Sequence, residues 1–154
     1  MHLETQFSIF MVNKPGVLAQ LLNVLAEEKI NIIAITMMDS VEHGVLRMVG
    51  AGAEKIREIL KKLNLQFSET QVLCVNLPNH AGAFADVTNK LSKAHINISY
   101  AYCTAGARGG RTTGVLKVAD VKKAMKVLEE TSVANHKKTS KTKKEVRRSP
   151  ASRK

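Results

Sequence analysis

The chain has 154 residues, 44% of them hydrophobic, which is enough for one ordinary domain or two small ones with a core. Aromatic residues make up only 4% and Trp is absent, so the expected core is aliphatic and an aromatic cage is not the expected binding principle. The net charge of +11 is unevenly spread: His136 to Lys154 holds nine Lys or Arg against one Glu, so the strong basicity belongs to the tail and the remainder is nearly balanced.

Met1 to Thr5 carries no basic n-region and no apolar h-region, and no run approaches the roughly 18 apolar residues of a membrane span. The expectation is a soluble cytoplasmic protein without membrane contact. Cys74 and Cys103 are too few for a disulfide framework, and their separation of 29 residues matches no metal-ligand spacing. Both are expected to be reduced.

In chain order, Gln6 to Val12 is apolar and β-prone, and Leu18, Leu21, Leu22 and Leu25 recur at helical spacing on a helix expected from about Pro15 to Lys29. Between them, Asn13, Lys14, Pro15, Gly16, Val17 and Leu18 form a strand-to-helix junction. Pro15 suits the first helical position, Asn13 can hydrogen-bond the turn, and Gly16 permits a close backbone approach. The uncapped N–H groups of such a helix start favour a carboxylate or a phosphate.

Asn31 to Met38 reads as a second strand, Asp39 to Gly44 as a turn, and Val45 to Val49 as a third strand paired with the second in a hairpin. Ile56, Ile59, Leu60 and Leu63 mark a second helix, and a fourth strand is expected within Leu65 to Thr70. From Gln71 the pattern restarts. Val72 to Leu77 is a strand, Asn79, His80, Ala81, Gly82, Ala83 and Phe84 a junction, Phe84, Val87 and Leu91 a helix face, and Asn97 to Thr104 a strand.

An offset of 66 lays Asn13 on Asn79, Gly16 on Gly82, Leu25 on Leu91 and Asn31 on Asn97. It grows to 70 after the second strand, so the second copy has four extra residues in its hairpin, a Gly-rich insert with Arg108 and Arg111. That insert lacks a Gly-Lys-Ser/Thr ending and joins two strands, which makes it a flexible hairpin tip rather than a phosphate loop. A last helix is expected over about Val121 to Glu130. Thr131 to His136 offers only Val133 and Ala134 as apolar residues, so the second unit's closing strand is short or missing, and its sheet edge needs a partner or a covering loop. The segment from Lys137 onward cannot bury enough apolar surface to order itself, and disorder is expected there.

The duplicated strand, helix, strand, strand, helix, strand unit with Asn-x-Pro-Gly-x-Leu at its first junction resembles the ACT domain, and in particular the small stand-alone proteins made of two ACT domains in tandem. The resemblance covers roughly residues 5 to 133. It implies an α/β fold, more narrowly an α+β sandwich of two ferredoxin-like βαββαβ units. The boundaries are residues 1–70 for the first unit, 71–135 for the second and 136–154 for the basic tail.

It also implies a non-catalytic regulatory protein that holds an amino acid between ACT units. In amino-acid-binding members a loop Asn and an Asn at the start of the facing unit's second strand hold the ligand. By position these are Asn13 or Asn79 and Asn31 or Asn97, with Ile32 and Ile98 beside the latter pair. Within each copy the two asparagines are 18 residues apart. Two departures stand out: Met11 and Leu77 occupy places where some serine-binding relatives carry His, and Ala81 replaces the loop Pro.

No cofactor or metal is expected. The five histidines show no ligand spacing, and there is no Ser/His/Asp arrangement or junction carboxylate pair, so an enzyme is not expected. His80 alone lies in a candidate ligand loop. The implied partners are a free amino acid, a second copy in a homodimer, and a metabolic enzyme. One alternative is a ligand-free structural or regulatory subunit of such an enzyme. Another is nucleic-acid association, nonspecific and through the tail: the third strands lack an aromatic platform, and Tyr100 and Tyr102 are the only stacking candidates.

Overall fold

The computed structural model describes residues 1–38, 43–104 and 111–129. The elements are β1 (His2–Val12), α1 (Val17–Glu27), β2 (Ile32–Met38), β3 (His43–Gly50), α2 (Ala53–Lys62), β4 (Gln66–Pro78), α3 (Ala83–Lys93), β5 (Ile98–Cys103), β6 (Arg111–Val118) and α4 (121–129). The strands form one antiparallel sheet in the order β2-β3-β1-β4-β6-β5. The first unit is thus β2-β3-β1-β4 and the second β4-β6-β5, the strand order of two ferredoxin-like units.

The two units share β4. Where the sequence suggests two strands, the backbone runs through Thr70 and Gln71 as one strand of 13 residues. No Gly or Pro interrupts Gln66–Leu77, and both halves find partners without a break in register, from Phe10↔Gln66 to His2↔Cys74 on β1 and from Leu73 to Pro78 on β6. This also settles part of the edge problem. His2, Leu3 and Glu4 pair with Cys74, Leu73 and Val72, so the N-terminal segment covers the side of the second unit's first strand that a closing strand would have taken. The expected short or missing closing strand itself lies outside the described residues, as do the tail and the Gly-rich insert apart from Arg111, which opens β6 opposite Pro78.

Strand alternation sorts the sheet into two faces. On one, Phe7, Ile9, Met11, Leu46 and Met48 pack against Leu21 and Leu25 of α1 and Ile56, Ile59 and Leu60 of α2. Leu73, Val75, Leu77, Leu116 and Val118 pack against Ala83, Val87 and Leu91 of α3 and against Ala124 and Leu128 of α4. Phe67 of the first cluster and Leu73 of the second lie on the same side of an unbroken strand, so all four described helices cover one face. Gly114 is needed on this face, because a Cβ there would sit 3.1 Å from Leu77 and 3.2 Å from Phe84.

The opposite face has no helix, yet Ala34, Val49, Val72, Cys74 and Val115 on it are buried. The sheet is rolled so that this face closes on itself. β2 touches β6 although three strands separate them in the sheet, and Tyr100 and Tyr102 of β5 reach back to Gln6 of β1. The free thiols fit this layout. Cys74 and Cys103 lie on strands separated by β6, the first buried and the second exposed.

Three helices end in the same way. Lys29, Asn64 and His95 have φ of 56°, 53° and 56°, and the next residue closes a six-residue bond to the helix: Ile30 N–H to Leu25, Leu65 N–H to Leu60, Ile96 N–H to Leu91. This left-handed turn satisfies the terminal carbonyls and sends the chain straight into the next strand or its lead-in.

Candidate functional site

The two junctions are near copies in geometry as well as in sequence. Lys14 N–H bonds Val12 carbonyl and His80 N–H bonds Pro78 carbonyl, both at 2.9 Å, and Gln20 N–H and Asp86 N–H bond the carbonyls of Gly16 and Gly82, again at 2.9 Å. Gly16 has φ 89° and ψ −21°, and Gly82 has φ 89° and ψ −16°. Each is the residue before its helix, in the left-handed region that glycine enters without steric penalty.

The reason for glycine differs from the one the sequence suggests. A Cβ on either residue would meet nothing within 4 Å, so backbone sign and not close packing selects it. Pro15 correspondingly sits in the turn ahead of the helix, which starts at Val17 instead of Pro15. No side chain caps α1 or α3, and the expected bond from the Asn13 carboxamide to its turn is not formed among the described residues. The first N–H of each helix reaches only a loop carbonyl at long range, Val17 to Lys14 at 3.4 Å and Ala83 to His80 at 3.3 Å, and a helix start without a side-chain cap is a setting for an oxyanion. The helix α2, which follows the left-handed Gly52, lacks a side-chain cap as well, so the exposed Asn three residues before the glycine is what marks the two junctions.

Asn13, Lys14, Pro15 and Gly16 are exposed, with Val17 and Leu18 half-buried behind them. In the second loop Asn79, His80, Ala81 and Gly82 are exposed, Ala83 is buried and Phe84 half-buried. The His80 Nδ1 lies 2.9 Å from the carbonyl of Ala81, so the ring is folded onto its own loop. Asn31 and Asn97 are exposed at the ends of turns, and their carbonyls accept the N–H groups of Ala51 and Ala119 at 2.9 and 3.2 Å. Ile32 and Ile98 follow, half-buried.

These residues do not form one cluster. β1 and β4 are antiparallel, so the Asn13 and Asn79 loops leave the sheet at opposite ends, roughly 45 Å apart along the strands at about 3.3 Å per residue. Asn13 borders a recess of about 210 Å³ with Met37, Met38 and Gly44. Asn97 borders a separate, shallow one of about 480 Å³ with Thr88, Ser92 and His95. Each recess holds one member of an expected loop-and-strand pair.

Between the units lies a polar group that belongs to no sequence motif. Gln6 is fully buried; its Nε2 donates to Tyr100 Oη at 2.8 Å and to Ser8 Oγ at 3.3 Å, while Tyr102 Oη donates to Gln6 Oε1 at 3.1 Å. The Arg47 guanidinium lies over the Tyr100 ring, 3.8 Å from its centre. Burial, reinforced by the neighbouring Tyr100 and Cys74, pushes the Tyr102 hydroxyl well above the ordinary phenol range. The tyrosines are thus turned inward and offer no open stacking platform for RNA. The available signal was a lone Gln inside an apolar strand, with two Tyr spaced by two on another.

Among the described residues no helix is long and apolar enough to cross a membrane, and no group of three His, Cys, Asp or Glu could hold a metal ion.

The structure is similar to that of protein BT0572 from Bacteroides thetaiotaomicron, with 31% identity and a TM-score of 0.77 over 84% of this chain and 89% of that one. It shares its fold with the ligand-free regulatory subunit of aspartate kinase from Thermus thermophilus, at 12% identity and a TM-score of 0.62 over 84% of this chain and 97% of that one. The regulatory subunit of aspartate kinase from Thermus flavus gives 14% and 0.56 over 84% and 93%. No curated protein matches. The model of the ACT domain pair matches residues 1–142, and the chain belongs to that family.

Proposed function

We propose that this protein binds a free amino acid without chemistry and serves as a regulatory subunit for a metabolic enzyme. The observation that carries this is the pair of matched junctions, each with an exposed Asn three residues before a left-handed glycine and a helix start without a side-chain cap. A ligand carboxylate would accept the helix N–H groups, and the carboxamide oxygen of Asn13 or Asn79 would receive the ammonium. Regulatory subunits of aspartate kinase with the same fold support the regulatory part of the reading.

Since the two loops lie at opposite ends of the sheet, a ligand at one loop takes its second wall from a second copy of the chain. The Asn13 recess of one copy and the Asn97 recess of another are the complementary halves. Binding then favours the assembled state by its differential affinity, and that is the quantity a partner enzyme could sense. The ligand-free subunit is the second reading. It is favoured by the exposed Phe10, Val12, Met37 and Met38 beside the Asn13 loop, which suit a protein partner.

The test is a thermal-shift screen of the full chain against the twenty amino acids, with Asn13→Ala and Asn79→Ala for any hit. A ligand at about 100 times its dissociation constant adds about 2.7 kcal/mol, a shift of several degrees. A selective shift lost in either variant supports amino-acid binding at that loop. No shift with any of the twenty leaves the ligand-free subunit.

A further inference from the structure

The hydrogen-bond directions around Gln6 leave a set of donors unused. The Gln6 carboxamide gives both protons, one to Tyr100 Oη and one to Ser8 Oγ, so each of those hydroxyls acts as an acceptor there and keeps its own proton. In register on the same face of the sheet, Ser8 stands beside Arg47 and Arg47 beside Thr36. Thr36 is half-buried, and among the described residues its hydroxyl has no partner. The Nε of Arg47 is buried with no hydrogen-bond partner, and no Asp or Glu pairs with this guanidinium among the described residues.

Arg47, Tyr100, Ser8 and Thr36 together supply one cation and several donors in a half-buried setting, without a paired counter-charge among the described residues. A buried donor left unmade costs about 1 to 3 kcal/mol, and a half-desolvated cation is stabilised by an anion at short range. One register step outward the same face is apolar, with Phe10, Val45 and Met38 side by side; Phe10 and Met38 are each 47% exposed.

We propose that this part of the helix-free face is a binding site for a small carboxylate with an apolar body, separate from the β1–α1 and β4–α3 loops. The Arg47 guanidinium receives the carboxylate, assisted by the hydroxyls of Ser8, Thr36 and Tyr100, and the apolar part lies on Phe10, Val45 and Met38. A ligand there touches β1, β2 and β3 of the first unit and β5 of the second, so occupancy ties the units together.

The test uses the full chain and three probes: sodium isovalerate, its neutral amide isovaleramide, and inorganic phosphate. Binding is read from the Arg47 Nε–H cross-peak in ¹H–¹⁵N spectra and from the melting temperature. Isovalerate should move the Arg47 signal saturably and raise the melting temperature, whereas isovaleramide should do neither. Arg47→Met should weaken isovalerate binding at least roughly tenfold, the loss expected for one charge-assisted hydrogen bond. Thr36→Val, which removes a hydroxyl without altering any existing bond, should weaken it several-fold and keeps the test open if Arg47→Met fails to fold.

Asn13→Ala and Asn79→Ala should leave the isovalerate response intact, which separates this site from the loop sites. An equal response to acid and amide, retention of binding in Arg47→Met or Thr36→Val, or loss of it in the loop variants would overturn the assignment. So would a response to phosphate alone, which would make the site one for a compact oxyanion.

Discussion

Gln6 on β1 donates to Tyr100 on β5 across 2.8 Å although β4 and β6 separate their strands in the sheet. Only a sheet rolled onto itself allows this contact, so the Gln6 side chain reports the closure of the first unit onto the second. Gln6→Ala should therefore destabilise the protein by about 2 to 3 kcal/mol in urea denaturation, since it strips the partners from two tyrosine hydroxyls and leaves a cavity. A triple variant, Gln6→Leu with Tyr100→Phe and Tyr102→Phe, should recover most of the loss, because an apolar set replaces the whole network at once. If the triple variant is as weak as Gln6→Ala, shape rather than hydrogen bonding holds the units together.

The left-handed residues allow a test with opposite signs. Lys29 and His95 hold positive φ at helix ends with side chains, a strain of about 1 to 2 kcal/mol that glycine avoids at some entropic expense. Lys29→Gly and His95→Gly should each stabilise the fold by about 0.5 to 1 kcal/mol. Gly16→Ala and Gly82→Ala should each destabilise it by about 1 to 2 kcal/mol, even though nothing stands in the way of the added methyl group. Thermal melts of the four variants decide this. A neutral Gly16→Ala would mean that the loop relaxes to another conformation.

The strand order of both units could be read from the sequence because alternation and helical spacing are local and the repeat at offset 66 doubles each signal. The shared strand could not. Ser68, Glu69, Thr70 and Gln71 are polar, which reads as a break between strands, yet Gln71 bonds Thr5 and Glu69 accepts from the Nε and one terminal nitrogen of Arg57, so partners on β1 and α2 hold this stretch extended. The same holds for the site. The Asn-x-Pro-Gly motif gave the loops, whereas their placement at opposite ends of the sheet follows from the antiparallel pairing of β1 with β4, which no local pattern encodes. Gln6 and Arg47 were missed for the same reason: their partners are remote in sequence.

The two thiols should differ in reactivity and in pH dependence. Burial, with a smaller contribution from Glu4, pushes the Cys74 thiol up to about 11 from its ordinary 9.0, and Cys103 is raised by burial as well but remains on the surface. Iodoacetamide at mildly alkaline pH should label Cys103 in the native protein and Cys74 only after unfolding. A thiol whose folded value lies above its unfolded value contributes stability that is complete below pH 9 and is lost as the pH rises toward 11. Denaturant midpoints measured between pH 8 and 11 should fall over this window, and Cys74→Ala should flatten part of that fall. The half-buried Tyr102 and the exposed Cys103, both also shifted upward, contribute to the remainder. Equal labelling of both thiols in the native state would mean that the rolled face opens readily.

The N-terminal segment offers the last test, since it stands in for a strand. His2, Leu3 and Glu4 pair with Cys74, Leu73 and Val72, and Met1 packs on the core of the second unit. Removing residues 1–4 should cost about 2 kcal/mol, from ladder bonds of about 1 kcal/mol each and the apolar contact of Met1, offset by the chain entropy released. It should also uncover the backbone of Val72–Cys74 as an unpaired edge, which templates strand addition. Light scattering coupled to size exclusion should then show concentration-dependent higher species that the full chain lacks. If the truncated chain keeps both its stability and its size, the edge is covered by a segment outside the described residues, and the N-terminal strand is not what closes the second unit.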